Sequence, residues 1–468
     1  TSALHGCACL ESLECGRQIH RDILVMSTDS NIYVNNILID MYTKCGSLED
    51  ALKVFDDMPE HDVVSWNAMI AAFSKNGLPE KAFLFFVQML NEGMRANDRT
   101  FVNILNACKA VEYLEQCHRL HTLVEESELR TNVIVCSTMM DMYMKCNEVN
   151  RAELLFKSSP KLDVVTWNVI IAANAKKGNF QEALELHERM KLQGIMPNEV
   201  TFLGILHACG GLAALERGRQ VHACITTCMN HILSLCNGLI DMYVKCRSLH
   251  NACSVFSKMS DRDVVSWTAT ITGYAQQEQQ EHAFLLYIQM QQESILPNKI
   301  TFLALLSVIH SPVIMKRGRQ IHCQIEAAGM KHDLTMTNTL IHMYANCGKL
   351  NMAQDMFDET IKNNVITWNA MISGYAKYGR VEESWELFCQ MGVEGVFANE
   401  TTFASILDAL SSIASSGQGK QIHTVILSVE LQSSIFIGSA LINMYSKCGN
   451  LDHAHKVLDG ILVRDVGS

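Results

Sequence analysis

The sequence predicts an all-α protein: a right-handed α-solenoid superhelix of tandem antiparallel helical hairpins. Three observations carry that expectation. First, Trp66, Trp167, Trp267 and Trp368 fall 101, 100 and 101 residues apart, inside the matching strings DVVSWNAMIAAFSKNG, DVVTWNVIIAANAKKG, DVVSWTATITGYAQQE and NVITWNAMISGYAKYG; self-similarity at a fixed period marks a repeat array. Second, Trp66, Met69, Ile70 and Phe73 sit at i, i+3, i+4 and i+7, one face of a helix. Third, only six prolines occur in 468 residues, so long stretches are free to stay helical. With 48% hydrophobic and 19% charged residues, the chain has the composition of a folded protein.

Two more strings keep the same phase. One runs LIDMYTKCGSLEDA, MMDMYMKCNEVNRA, LIDMYVKCRSLHNA, LIHMYANCGKLNMA and LINMYSKCGNLDHA. The other runs CGRQIH, QCHRLH, GRQVH, GRQIH and GKQIH, ending at His20, His121, His222, His322 and His423. Each period therefore holds three units of about 31, 35 and 35 residues. The expected boundaries are a partial unit 1–31, then 32–62, 63–97, 98–132, 133–163, 164–198, 199–232, 233–263, 264–298, 299–333, 334–364, 365–399, 400–434 and 435–465, with 466–468 opening another.

Each unit reads as two helices. In Val63 to Asn97, Asn76-Gly77 closes the first, because glycine accepts the left-handed C-cap conformation. Pro79 suits the first turn of the second, Ala82, Phe85, Phe86 and Met89 form its buried face, and Gly93 ends it. In the shorter units, Ser47-Leu48-Glu49-Asp50 has the pattern of a capping box opening the second helix. One hairpin cannot bury both its faces, so neighbours must stack. The expectation is a single array of about fourteen hairpins over 1–468, its concave side lined by first helices.

Several function classes lack their residues. No apolar run approaches the roughly 18 residues that span a bilayer. There is no C-x-x-C for a zinc deaminase, no G-x-x-x-x-G-K-[ST], no G-x-S-x-G and no H-E-x-x-H. No catalytic residue, metal site or cofactor is expected. The 18 cysteines suit a reducing compartment; Cys45, Cys146, Cys246, Cys347 and Cys448 stand singly, about 100 residues apart, and read as packing thiols. The histidine and tryptophan series also read as structural. A net charge of −11 argues against a whole-molecule grip on nucleic acid, though not against a local basic seam.

Taken together, the 31/35/35 alternation, VVSWNAMI, LIDMYTKCG and GRQIH resemble the plant pentatricopeptide repeat family, and within it the class that alternates P, L and S repeats. The resemblance covers essentially the whole chain. It implies sequence-specific binding of single-stranded RNA in a mitochondrion or chloroplast, most often as the recognition part of a C-to-U editing factor. The partners it implies are RNA, editing cofactor proteins and a deaminase supplied in cis or in trans. The chain starts at Thr1, so any targeting segment lies outside it, and it stops three residues into a unit, where editing proteins of this class usually continue into C-terminal extension and deaminase domains. Two alternatives stand beside this one: transcript stabilisation, splicing or translation control by occupancy, and a protein-binding helical scaffold.

The family reads one base per repeat with the fifth and last residues. In the S units these are Asn36 and Asp62, Ser137 and Asp163, Asn237 and Asp263, Asn338 and Asn364, and Ser439 and Asp465. In the P units they are Asn67 and Asn97, Asn168 and Asn198, Thr268 and Asn298, and Asn369 and Asn399. All are Asn, Asp, Ser or Thr, where packing alone would accept Ala or Leu; small groups with defined donors and acceptors suit a Watson–Crick edge. Asp, an acceptor, suits the ring N–H of U or G. Asn donates to the bare ring nitrogen of A or C. A fifth-position Asn suits a pyrimidine, and Ser or Thr leaves room for a purine. The L units carry Val102, Leu203, Leu303 and Ala404 at the fifth position and are expected to be spacers. The expected site is U-Y-n-G-Y-n-U-A-n-Y-Y-n-G.

Two further rows fit a groove. The family sandwiches each base with the second residue of the repeat, here Val64, Val165, Val265 and Ile366 in the P units. The thirteenth residue is Lys44, Lys75, Lys145, Lys176, Lys245, Lys377 or Lys447, with Gln276 and Asn346 as exceptions, and forms a candidate rail for phosphates. Glu80, Glu182, Glu281, Glu382 and Glu383 open second helices, facing the positive helix end on the expected convex side.

Overall fold

A computed structural model describes residues 2–25, 31–109, 111–159, 162–228, 232–331, 333–360, 364–413, 416–428, 431 and 434–465. Among them the chain forms 28 α-helices and three 3₁₀ turns, with no strand. It divides into two compact units, Thr1–Met242 and Tyr243–Ser468.

Both units are built in the same way. In the N-terminal unit, helix Val63–Lys75 packs on its own partner Pro79–Asn91 and on the first helices to either side, Ile32–Lys44 and Asp98–Ala107. In the C-terminal unit, Val365–Lys377 packs on Val381–Val393, Leu334–Asn346 and Glu400–Ser412 in the same manner. First helices thus form one layer and second helices a flanking layer. The local signals act as expected: Gly77 closes Val63–Lys75 at φ 67° and Pro79 is the first residue of the next helix.

The recurring residues hold the layers together. Trp66, Trp167, Trp267 and Trp368 are fully buried. Each packs edge-on against the preceding unit's Phe55, Phe156, Phe256 or Phe357, with centroids 4.7–4.9 Å apart, an arrangement worth about 1 kcal/mol beyond the buried area. His20, His121, His322 and His423 each hydrogen-bond through Nδ1 to Tyr42, Tyr143, Tyr344 or Tyr445 of the next first helix, at 2.8–2.9 Å. Where the GRQIH-like string packs on the next first helix, a Cβ on Gly16 or Gly419 would meet the sulfur of Met41 or Met444, which would have to move; Cys117 holds the same position in the unit 98–132. Cys45, Cys146, Cys347 and Cys448 follow the last turn of their helices as C-caps.

One local expectation is corrected. Ser47 precedes helix Leu48–Asp56 but makes no capping bond; its hydroxyl donates to the Asp50 carboxylate at 2.8 Å, and Asp50 is also held by Arg17. The hydroxyl is turned toward the carboxylate and makes no bond with the helix's first N–H groups. Capping boxes do occur, but at the first helices.

Candidate nucleic-acid interface

The first helices start where each unit starts, and at the P and L units the residue before the start caps it. Asp62, Asn97, Asp163, Asn198, Asp263, Asn298, Asn364 and Asn399 accept the backbone N–H of Ser65, Thr100, Thr166, Thr201, Ser266, Thr301, Thr367 and Thr402 through Oδ1, at 2.8–3.1 Å. In all but the Asp163 case, the Ser or Thr hydroxyl also accepts from the cap's own N–H, completing a capping box. This corrects the premise that packing places no demand on the last residue. An N-cap favours Asn or Asp and disfavours Ala or Leu by about 1 kcal/mol. The restriction at that position has a structural cause, whatever else the residue does. Its signature, D/N-x-x-S/T, was readable in the sequence.

The fifth residue reaches the same cap. The amide Nδ2 of Asn36 donates to Asp62 Oδ1 at 3.2 Å, Asn67 to Asn97 at 3.1 Å, Asn168 to Asn198 at 2.9 Å, Asn338 to Asn364 at 3.4 Å and Asn369 to Asn399 at 3.0 Å. Residues 26 or 30 positions apart are thereby fixed side by side. The serine and threonine positions differ. Ser137 and Ser439 turn back onto their own helix, to Ile134 O at 3.0 Å and Ile435 O at 2.8 Å. Thr268 meets Thr301 hydroxyl to hydroxyl at 2.7 Å and reaches Asn298 only through it. The Asn237 and Asp263 pair is divided between the two compact units, and the side chain of Asp465 lies outside the described residues.

Capping fixes what the last residue can offer. Its Oδ1 is committed to the helix end, so the second polar atom is the one left to turn outward. In Asn97, Asn198, Asn298 and Asn399, Nδ2 has no hydrogen-bond partner among the described residues; Asn97 and Asn399 are exposed, and Asn198 and Asn298 are partly so. Asn therefore offers a donor. Asp62 offers an acceptor, and it stays ionised: burial pushes its carboxyl up, but the hydrogen bonds from Ser65, Asn36 and the backbone outweigh that and hold it below the usual carboxylate range.

The second residues stand beside these pairs. Val64, Val165, Val265 and Ile366 are 56%, 51%, 50% and 60% exposed despite being apolar. Tyr33, Ile134 and Phe436 of S units and Val200 and Ile300 of L units continue the row, all at least half exposed. Only the P-unit members were expected; the same phase in the other units was the available signal.

The lysines are not alike. Lys44 and Lys145 are tied to Asp40 at 2.7 Å and Asp141 at 3.0 Å, one turn earlier on their own helices. Lys377 donates to Asn346 O at 3.3 Å, and Lys447 to Ser411 Oγ at 3.3 Å. Lys75 and Lys176 are exposed, with no partner among the described residues. No three His, Cys, Asp or Glu side chains gather at metal-binding distance among the described residues, and no described helix is long and apolar enough to cross a membrane.

The repeats match those of known proteins. One PPR repeat family profile matches residues 61–110, 162–211, 262–309 and 363–412. A second PPR repeat profile matches 36–63, 134–164, 234–264, 335–365 and 439–466. A mitochondrial pentatricopeptide repeat-containing protein of Arabidopsis thaliana is 32% identical over 98% of this chain and 45% of its own length. A chloroplastic one from the same plant is 34% identical over 88% of this chain and 66% of its own, and a further mitochondrial one is 31% identical over 98% and 67%. The chain thus spans about half to two thirds of the relatives it matches. Among solved structures, the maize pentatricopeptide repeat protein PPR10 superposes with a TM-score of 0.61 at 16% identity, over 98% of this chain and 72% of that one. PPR10 in complex with an 18-nt psaJ RNA element superposes with a TM-score of 0.58 at 20% identity, over 99% and 73%. At these identities the likeness is one of fold, an α-solenoid.

Proposed function

We propose that this chain, which belongs to the pentatricopeptide repeat family, binds single-stranded RNA sequence-specifically, one base to each P or S unit. On this reading its units alternate in the P, L, S manner, and it serves as the non-catalytic recognition part of an organellar C-to-U editing factor, with the deaminase supplied in cis or in trans. The mitochondrial and chloroplastic relatives support an organellar setting.

The observation that carries the reading is the amide-to-cap pair. A cap alone needs no partner 30 residues earlier, yet Asn67, Asn168 and Asn369 each bring an amide to one. The pair leaves a fixed outward donor on Asn or acceptor on Asp, which matches the difference between A or C and U or G on the Watson–Crick edge. Where the fifth residue is Ser or Thr, the shorter side chain does not reach the cap, which supports the purine assignment at those units. The exposed Val64, Val165, Val265 and Ile366 supply apolar surfaces for the base faces.

The test is selection of bound RNAs from a random pool. The expected result is enrichment of U-Y-n-G-Y-n-U-A-n-Y-Y-n-G; a pool recovered without sequence enrichment overturns the reading.

A further inference from the structure

In the C-terminal compact unit, an open recess of about 590 Å³ lies where the helices Leu233–Lys245 and Val264–Gln276 end, lined by Val244, Lys245, Arg247, Gln276 and Gln277. Arg247 sits at the turn after the first helix with φ 55°. The same turn position in the other S units holds Gly46, Asn147, Gly348 or Gly449, at φ 67–77°. Those residue types tolerate the left-handed conformation; an arginine there costs about 1 kcal/mol. The strain is held rather than relieved, since Gln277 Nε2 donates to the Arg247 carbonyl at 3.3 Å. The Arg247 side chain is exposed and has no partner among the described residues.

The equivalent junction one period later is closed. There the Tyr378 hydroxyl donates to Asn346 O at 2.7 Å, Lys377 donates to the same carbonyl, and the Tyr378 ring lies against Gly348. The open junction also exchanges charges: Gln276 stands where the other P units carry Lys75, Lys176 and Lys377, and Arg247 stands where the other S units carry no charge. The cation missing from the thirteenth residue of one unit is restored two residues after the thirteenth residue of its neighbour. A strained guanidinium with no partner among the described residues, beside an ammonium and two side-chain amides, gathers N–H donors of the kind that take a phosphate oxyanion.

Building on the RNA-binding reading, we propose that Lys245, Arg247 and Gln276 form a phosphate site that holds one phosphodiester of the bound RNA. It lies eight residues, about 12 Å of helix, from the base-reading position Thr268. The site makes Gln276 part of the phosphate contact, not a break in it.

The test is Arg247→Gly, which removes the strain and so keeps the fold, as a melting temperature at or above that of the parent will verify. RNA binding is measured for the selected sequence and a scrambled one across a potassium chloride series. In parallel, melting is measured with inorganic phosphate at fixed ionic strength. The variant is expected to weaken both RNAs equally, roughly fivefold at 0.1 M salt, and to lower the slope of log K against log salt by about 0.7, the value of one single-strand phosphate. Unchanged affinity and slope with loss of phosphate-induced stabilisation would make this a free-phosphate site and overturn the assignment to RNA. No change in either measurement overturns the site altogether. If the parent binds no RNA at all, the RNA-binding reading fails, and the phosphate melt still reports on the recess.

Discussion

First helices begin in two ways in this molecule. Those that follow a P or S unit are capped by an Asn or Asp that, in five described cases, also receives an amide from the fifth residue of that unit. Three of those that follow an L unit are capped as well: Asn31, Asn132 and Asp333 accept backbone N–H groups, while Ile232 has no side-chain acceptor and Ser434 makes no capping bond. Yet the fifth residue of the L unit is apolar and offers the cap nothing. Val102, Leu203, Leu303 and Ala404 are partly buried among their neighbours. Asp333 instead takes an ammonium, from Lys299 at 2.7 Å. The comparison separates two roles that look alike in sequence. Capping explains the Asn and Asp at the last position among the described units. Only the polar fifth residue distinguishes the units in which the cap becomes half of a recognition pair.

The sharpest way to break this comparison is to change the identity of one pair. Thr268→Asn with Asn298→Asp converts the unit 264–298 to the pattern of Asn36 with Asp62. Preference at that base is expected to move from A to U by about 1–3 kcal/mol, with the cap to Thr301 preserved because Asp retains the accepting oxygen. Equal binding of A and U variants by both proteins would remove the base assignment.

A second test compares two caps. Asn97→Ala and Asn132→Ala each remove one N-cap and should each cost about 1 kcal/mol of stability in denaturation. Only Asn97→Ala should also relax base preference, because only Asn97 is met by a fifth-residue amide. If Asn132→Ala relaxes specificity to the same degree, the two kinds of helix start are not functionally different.

A gain of function follows at smaller scale. Leu303→Asn places an amide 30 residues before Asp333, the spacing of the P-unit pairs. With Lys299→Ala freeing the carboxylate, the L unit should acquire a preference for U of about 1 kcal/mol, the low end of a base contact. Selection that still returns no preference at that position would mean that the L units are silent for a reason other than the fifth residue.

Much of this is legible in the sequence. The period, the hairpins and the buried Trp66 series follow from spacing, because the helical period and the burial of large apolar groups act locally and repeat. The pairs were named from a family resemblance, but the bond within each pair was not, since it joins residues 26 or 30 apart and depends on how two units stack. The cap at Asp62 was missed although Ser65 was in plain view. The capping box was sought at Ser47, where Asp50 captures the hydroxyl; that competition depends on Arg17, 33 residues away, drawing the carboxylate into place. Arg247 was invisible for a related reason: its meaning lies in a positive φ and an open neighbour.

The smallest expected effect concerns the lysines, where S and P units again part. Lys44 and Lys145 are held by Asp40 and Asp141 on the same helices, so a phosphate meeting either must compete with a carboxylate already in place. Lys75 and Lys176 of the P units have no such competitor among the described residues. Neutralising Lys75 and Lys176 together should lower the salt slope of RNA binding by about 1.4, two single-strand phosphates, with base preference intact. Neutralising Lys44 and Lys145 should lower it by less, because both ammoniums are already engaged and loss of Lys44 leaves the Asp40 carboxylate to repel the strand, while Asp141 stays paired with Lys109. Exposed ion pairs of this kind contribute only about 0.5 kcal/mol to folding, so neither pair of changes should move the melting temperature much. The salt slope is then the decisive readout: equal slopes for the two double variants would mean that Asp40 and Asp141 do not set which lysines meet the phosphates.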